Sequence, residues 1–211
     1  MMIFFYGDDS FRSNEKLAEI KNKFLEKNKE GASLFVFDFA EKEWNIEEII
    51  LNISSSGLFS SKKLVIIKNI ISVKKDFESE KFEKFLKSET KKDNRDIILI
   101  FWESEKMKKS SKFYKLLKKV AKCQEFELLE GMKLKNWIAG KFKENDAMIS
   151  SAAIDKLIIF VGNDLNLLSR EIEKLVVYKN KGEISSDDID RLVKSRIDTD
   201  IFKTVDALAR G

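Results

Sequence analysis

The first two thirds of the chain alternate short runs of β-branched and aromatic residues with amphipathic segments, a pattern that leaves few folds open. Strands that follow one another through helices pair in parallel and need a helix layer on both faces of the sheet. Five apolar runs fit: residues 3–6, 34–39, 64–67, 97–102 and 124–128. Each is read as rich in the β-branched or aromatic residues that a buried strand requires.

The intervening segments repeat at the helical period. A helix opening near Ser10 carries Leu17, Ile20 and Phe24 on one face, and Asn45 with Glu48 gives a capping-box-like start to a stripe of Ile46, Ile49, Ile50 and Ile53. Residues 79–86 present Phe82, Phe85 and Leu86, and residues 111–122 present Phe113, Leu116, Leu117 and Val120. These stripes are read as core-facing. Beyond about residue 140 the strands stop. Ile154, Leu157, Ile158 and Val161 end at Gly162; Asp164 opens a second helix with Leu165, Leu168, Ile172 and Leu175; Gly182 and Ser185 precede a third with Ile189, Leu192 and Val193. The expected organisation is an α/β domain over residues 1–140, a small three-helix lid domain over 141–205, and at 206–211 the start of a further C-terminal domain that the chain lacks.

Composition removes whole classes of chemistry. The sequence has no histidine, so the commonest general base near neutral pH and the commonest metal ligand are missing. Its one cysteine, Cys123, makes neither an internal disulfide nor a thiolate metal site, and is expected to be a small buried residue. Against 36 acidic residues stand 40 basic ones, a net charge of +4, so nucleic-acid contact has to rest on local clustering. No apolar run reaches the roughly 18 residues of a membrane span. The opening Met1-Met2-Ile3-Phe4-Phe5-Tyr6 lacks the basic flank of an export signal, and a cytoplasmic protein is expected.

A strand, a glycine and then a helix is where a phosphate-binding loop sits, because helix N-terminal amides cradle phosphate oxygens there. The required pattern is G-x-x-x-x-G-K-[ST]. Here Gly7 is followed by Asp8, Asp9, Ser10 and Phe11, and then Arg12, Ser13 and Asn14 occupy the places of glycine, lysine and serine or threonine. Two carboxylates repel a phosphate, and no lysine neutralises it. The third strand runs into Lys68 and Asn69, where a nucleotide hydrolase needs acids to hold magnesium. Asp8 with Asp9, and Asp187 with Asp188, are read as turn and helix-cap residues. No catalytic residue, metal site or cofactor is expected.

With this degenerate loop, the chain resembles the delta subunit of the bacterial DNA polymerase III clamp loader over essentially its whole length. The likeness rests on Phe4-Phe5-Tyr6-Gly7-Asp8-Asp9-Ser10-Phe11, Gly57-Leu58-Phe59-Ser60-Ser61-Lys62-Lys63-Leu64-Val65, Lys112-Phe113-Tyr114-Lys115-Leu116-Leu117 and Val161-Gly162-Asn163-Asp164-Leu165 followed by Glu171-Ile172-Glu173-Lys174-Leu175. It implies an AAA+-like fold that does not hydrolyse ATP, binds the sliding clamp and helps open it for loading on primed DNA beside other clamp-loader subunits. The family's clamp-binding element is an apolar pair before the third strand, which Leu58 and Phe59 match. Two large apolar side chains on a glycine- and serine-rich loop make physical sense if a partner buries them. Where related subunits carry Ser-Arg-Cys this chain has Ala121-Lys122-Cys123, and a lysine does not reproduce the planar arginine fork.

The rival readings are a stand-alone DNA-binding module and an ATPase with an atypical phosphate site. Lys112, Lys115 and Lys119, with Lys118, Lys122, Lys108 and Lys109 nearby, form a candidate DNA-facing helix surface. No aromatic residues interleave to stack on bases, so a solvated face competes with that reading. The resemblance places intersubunit contacts in a third domain, and a monomer is expected.

Overall fold

In the computed structural model β1 (Met2–Tyr6) lies between β4 (Ile97–Trp102) and β5 (Lys122–Glu125). With β2 (Ala32–Asp38) and β3 (Lys62–Lys68) it completes a parallel five-stranded sheet of order β2-β3-β4-β1-β5. The structure describes residues 1–28, 32–55, 62–74, 79–91, 96–104, 109–180 and 182–195. The chain divides into two units between Glu127 and Leu128.

Alternation along the strands sorts side chains to two cores. Phe4, Tyr6, Val65, Ile67, Leu99 and Phe101 face α2 (Ile46–Ser54), α4 (Glu80–Glu89) and α5 (Lys112–Val120), meeting Ile49, Ile53, Phe82, Leu86, Phe113 and Leu117. Phe82 stacks on Phe113 at 5.9 Å between centroids, and Phe101 meets Phe113 edge-on at 5.8 Å. On the opposite face Phe5, Leu64, Ile66, Ile100 and Trp102 pack with Leu17 and Phe24 of α1 (Ser10–Lys27) and with Phe126. This is the expected α/β arrangement, a parallel five-stranded sheet with helices packed on both faces.

Several details differ from the sequence-based expectation. The fifth strand is Lys122–Glu125, earlier than 124–128, and all its residues are exposed. Phe126 is buried like a strand residue, but its backbone has already turned onto the β1–α1 loop. Cys123 is therefore exposed, not buried: it stands on an edge strand and its position gains no cover. A four-residue α3 (Ile70–Val73), too short to carry a period, follows Asn69 in the left-handed conformation at φ +59°. Asn45 caps α2 by accepting from Glu47 N at 2.8 Å.

The second unit starts earlier than the expected boundary at 140. That position lies inside α6 (Gly131–Glu144), whose buried Leu134, Ile138 and Phe142 belong to a helix packed on α7 (Ser151–Val161) and α8 (Leu165–Lys179). Parallel β6 (Met148–Ile149) and β7 (Glu183–Ile184) then tie the start of α7 to α9 (Ser186–Leu192). The described residues of the second unit thus hold the three expected helices, a fourth (α6) before them and a short ribbon; two-residue strands leave no period to read. The end of the expected 141–205 lid and residues 206–211 lie outside the described residues. Gly162, at φ +85°, stops α7, and Asp164 caps α8 by accepting from Asn166 N and Leu167 N.

Ser185 and Asp188 form a reciprocal capping box at α9. Asp188 Oδ2 accepts from Lys179 Nζ at 2.7 Å and from Ser185 N and Oγ at 2.8 Å each. Lys179 first, then these serine bonds, hold the Asp188 carboxyl at about 2, below its ordinary 3.8. A depressed carboxyl stabilises the folded unit above the unfolded-state pKa and loses that contribution as pH falls through the folded one. The stability gap between wild type and Asp188→Asn, read by thermal melts, should therefore be full at pH 5 and close as pH falls from about 4 to about 2.

Candidate functional site

In open parallel sheets ligands bind at the carboxyl ends of strands where successive connections leave on opposite faces. Here β1 leads to α1 on one face and β4 leads to α5 on the other, so this point lies between β1 and β4. It is also where Gly7, Arg12, Ser13 and Asn14 fall.

The turn after β1 is closed by the chain itself. Gly7 has φ +129°, and a Cβ built there would lie 2.3 Å from Phe126 O. Phe126 N donates to Tyr6 O at 2.7 Å and Asp9 N donates to Phe126 O at 2.9 Å, stitching the turn to the segment after β5. Asp9, almost wholly buried, is the N-cap of α1. One carboxylate oxygen accepts from Arg12 N at 2.9 Å, and the other takes Arg12 Nε at 2.5 Å. Arg12 Nη2 also donates to Glu127 O. Ser13 is buried, its Oγ donating to Ser10 O and accepting from Trp102 Nε1, both at 3.1 Å. Asn14 is exposed. Gly7, Asp9 and Arg12 are thus brought together, whereas Ser13 turns under the sheet edge and Asn14 turns away. The positive end of α1 already has an anion, its own Asp9, and a phosphate would have to displace it.

The ends of β3 and β4 are likewise filled. Asn69 Nδ2 donates to Asp38 Oδ1 at 2.8 Å, while Asn69 Oδ1 accepts from Ser104 N at 3.2 Å and Ser104 Oγ at 2.7 Å. Lys68 lies 3.7 Å from Asp38 and 5.1 Å above the Trp102 ring. Glu103, fully buried, accepts from Ile71 N and Ser72 N at 2.9 Å and from Ser72 Oγ at 2.8 Å. Burial pushes its carboxyl pKa up, against the pull of those bonds. These acids serve the fold: Asp38 is paired and Glu103 is aimed at α3. Among the described residues no group of three or more acidic or cysteine side chains is arranged to hold a metal ion. Sequence reading missed Glu103 and Ser104, although polar residues directly after a buried strand are the signal for such an edge network.

On α5, Lys112, Lys115 and Lys119 are exposed at spacings that share one face. Lys118 instead donates to the Tyr6 hydroxyl at 2.6 Å, and that hydroxyl donates to Glu125, which also pairs with Lys109 at 2.8 Å. Burial first, then the bonds to Tyr114 and Glu125, raises the Tyr6 pKa, and Lys109 holds the Glu125 carboxyl below its ordinary value. Lys122 is exposed on β5, as is Cys123. Lys108, Leu58 and Phe59 lie outside the described residues; the described flanks of the latter pair are Ser55 and Lys62.

Residues 4–127 match the family model described as DNA polymerase III, delta subunit, and residues 133–191 match a second model described as a middle domain. The curated DNA polymerase III subunit delta of Bacillus subtilis (strain 168) is 22% identical, with 96% of this chain covered. The chain spans 59% of that relative's length. Among solved structures, the Bacillus subtilis DNA clamp loader delta protein aligns at 21% identity and a TM-score of 0.57, covering 97% of this chain and 61% of its own. The Thermotoga maritima RuvB Holliday junction branch migration motor aligns at 12% identity and a TM-score of 0.59, covering 100% of this chain and 70% of its own.

Proposed function

The chain belongs to the DNA polymerase III delta subunit family, and from that premise we propose that it is a clamp-loader subunit that binds the sliding clamp without hydrolysing ATP. The observation that carries the second half is the Asp9–Arg12 pair on the buried N-terminus of α1, stitched to Phe126 and Glu127 where a nucleotide phosphate would sit. Leu58 and Phe59 are its clamp-binding pair. The clamp opens because the loader binds the open ring better than the closed one, which is the only way a ligand shifts such an equilibrium. Other clamp-loader subunits complete the assembly, and primed DNA is met through it. The chain works in the cytoplasm as two domains and is a monomer on its own; no helix among the described residues is long and apolar enough to cross a membrane.

Calorimetric titration tests this directly. The chain should give binding heat with a sliding clamp and none with MgATP; nucleotide heat without clamp heat would return it to the ATPase class. The exposed Lys112, Lys115 and Lys119 favour one second reading, direct DNA contact. On that reading the isolated chain binds primed DNA with an affinity falling steeply as salt rises.

A further inference from the structure

Lys63, the second residue of β3, is only 5% exposed, an unusual place for an ammonium group. Its backbone N donates to Asp96 O at 2.7 Å, fixing it in the sheet. Its side chain runs back to the end of α2. There Nζ donates to Asn52 O at 2.9 Å, to Ser55 Oγ at 3.0 Å and to Ser55 O, with Ile53 O at 3.4 Å. These partners are all carbonyl or hydroxyl oxygens: the ammonium meets the negative end of a helix, where Asn52 O also accepts from Ser55 Oγ at 3.3 Å.

The same side chain joins two points that the sequence separates. Ser55 is the C-cap of α2, and Lys63 stands at the start of β3, so this ammonium ties together the two ends of the connection that carries Leu58 and Phe59. Both ends rest on buried elements, through Ile49 and Ile53 on one side and Leu64 to Ile67 on the other. A recognition segment whose ends are fixed loses less freedom on binding, and that difference appears as affinity.

We infer that Lys63 is a positioning residue for clamp binding: it holds together the end of α2 and the start of β3, the two ends of the connection whose sequence carries Leu58 and Phe59. This rests on the reading that those two residues meet the clamp. Replacing Lys63 by Met keeps an apolar stem of similar length and removes the donors.

The experiment measures clamp affinity at a temperature where circular dichroism shows each variant folded. Lys63→Met should bind about tenfold more weakly than wild type, a change of about 1.4 kcal/mol, and Lys63→Arg should recover most of the loss. In a Leu58→Ala background the same Lys63→Met change should cost only a few-fold, because the tie acts through the pair it presents. A general loss of stability would weaken binding by the same factor in both backgrounds, and that result overturns the inference. So does unchanged affinity in Lys63→Met. Should Lys63→Met not fold, Ser55→Ala, which removes one acceptor of the tie, decides: a two- to threefold weakening supports the inference and wild-type affinity overturns it. Amide exchange at Ser55, whose N–H donates to Leu51 O at 2.8 Å, separates the two readings. If exchange there quickens in Lys63→Met but wild type never binds a clamp, the tie is real, the clamp reading fails, and the positioning role falls with it.

Discussion

Replacing Leu58 and Phe59 together by alanine should lower affinity for a sliding clamp at least about a hundredfold, read by calorimetry or surface binding with the fold checked by melting temperature. Burying two large apolar side chains contributes about 3–6 kcal/mol before the ordering of side chains and backbone is offset. A net loss of about 2.7 kcal/mol is about a hundredfold in affinity. The melting temperature should barely move if the pair meets a partner, whereas a pair packed into the chain's own core would cost several kcal/mol of stability. Clamp affinity retained alongside a large drop in melting temperature would reverse the assignment.

Gly7→Ala should be among the most destabilising single changes in the first unit. Two penalties add: φ at +129° is a region that side chains rarely adopt, and the new Cβ would fall 2.3 Å from the backbone oxygen of Phe126. Strain of this kind costs about 1–3 kcal/mol, and overpacking against backbone adds about as much. A total of about 3 kcal/mol or more lowers the melting temperature by roughly 10 °C. Gly140→Ala is the internal control. Gly140 sits within α6 with nothing within 4 Å of its missing Cβ, so that change should raise stability by up to about 1 kcal/mol through helix propensity alone. Equal melting temperatures for wild type and Gly7→Ala would mean the turn opens freely, and with it the space a phosphate needs.

The strands that were legible in the sequence are those whose burial has one cause. Leu64 to Ile67 and Ile97 to Trp102 sit in the middle of a sheet covered on both faces, so their apolar runs name them directly. The misplacement of β5 arose because Phe126 is apolar for another reason: it covers the α1 face after the strand has ended. Cys123 misled in the opposite sense, since the type is usually buried but the edge strand gives it no cover. At the candidate site, the absence of a phosphate-loop lysine was readable from Arg12, Ser13 and Asn14 alone. What replaced the nucleotide was not. Arg12 with Glu127, Asn69 with Asp38 and Ser104, and Glu103 with Ser72 join residues far apart in the chain, and a linear pattern carries no trace of such pairings until the sheet order is known.

The self-filled edge of the sheet also bears on reversibility over evolutionary time. Restoring a phosphate-loop lysine at Ser13 would put a long cation where a 1% exposed hydroxyl now sits beneath Trp102, and restoring glycine at Arg12 would strip Asp9 of its counter-charge. Each change towards the phosphate-loop pattern is therefore a loss of stability before it is a gain of ligand. At this edge of the sheet, folding itself opposes any single change towards a phosphate-binding loop.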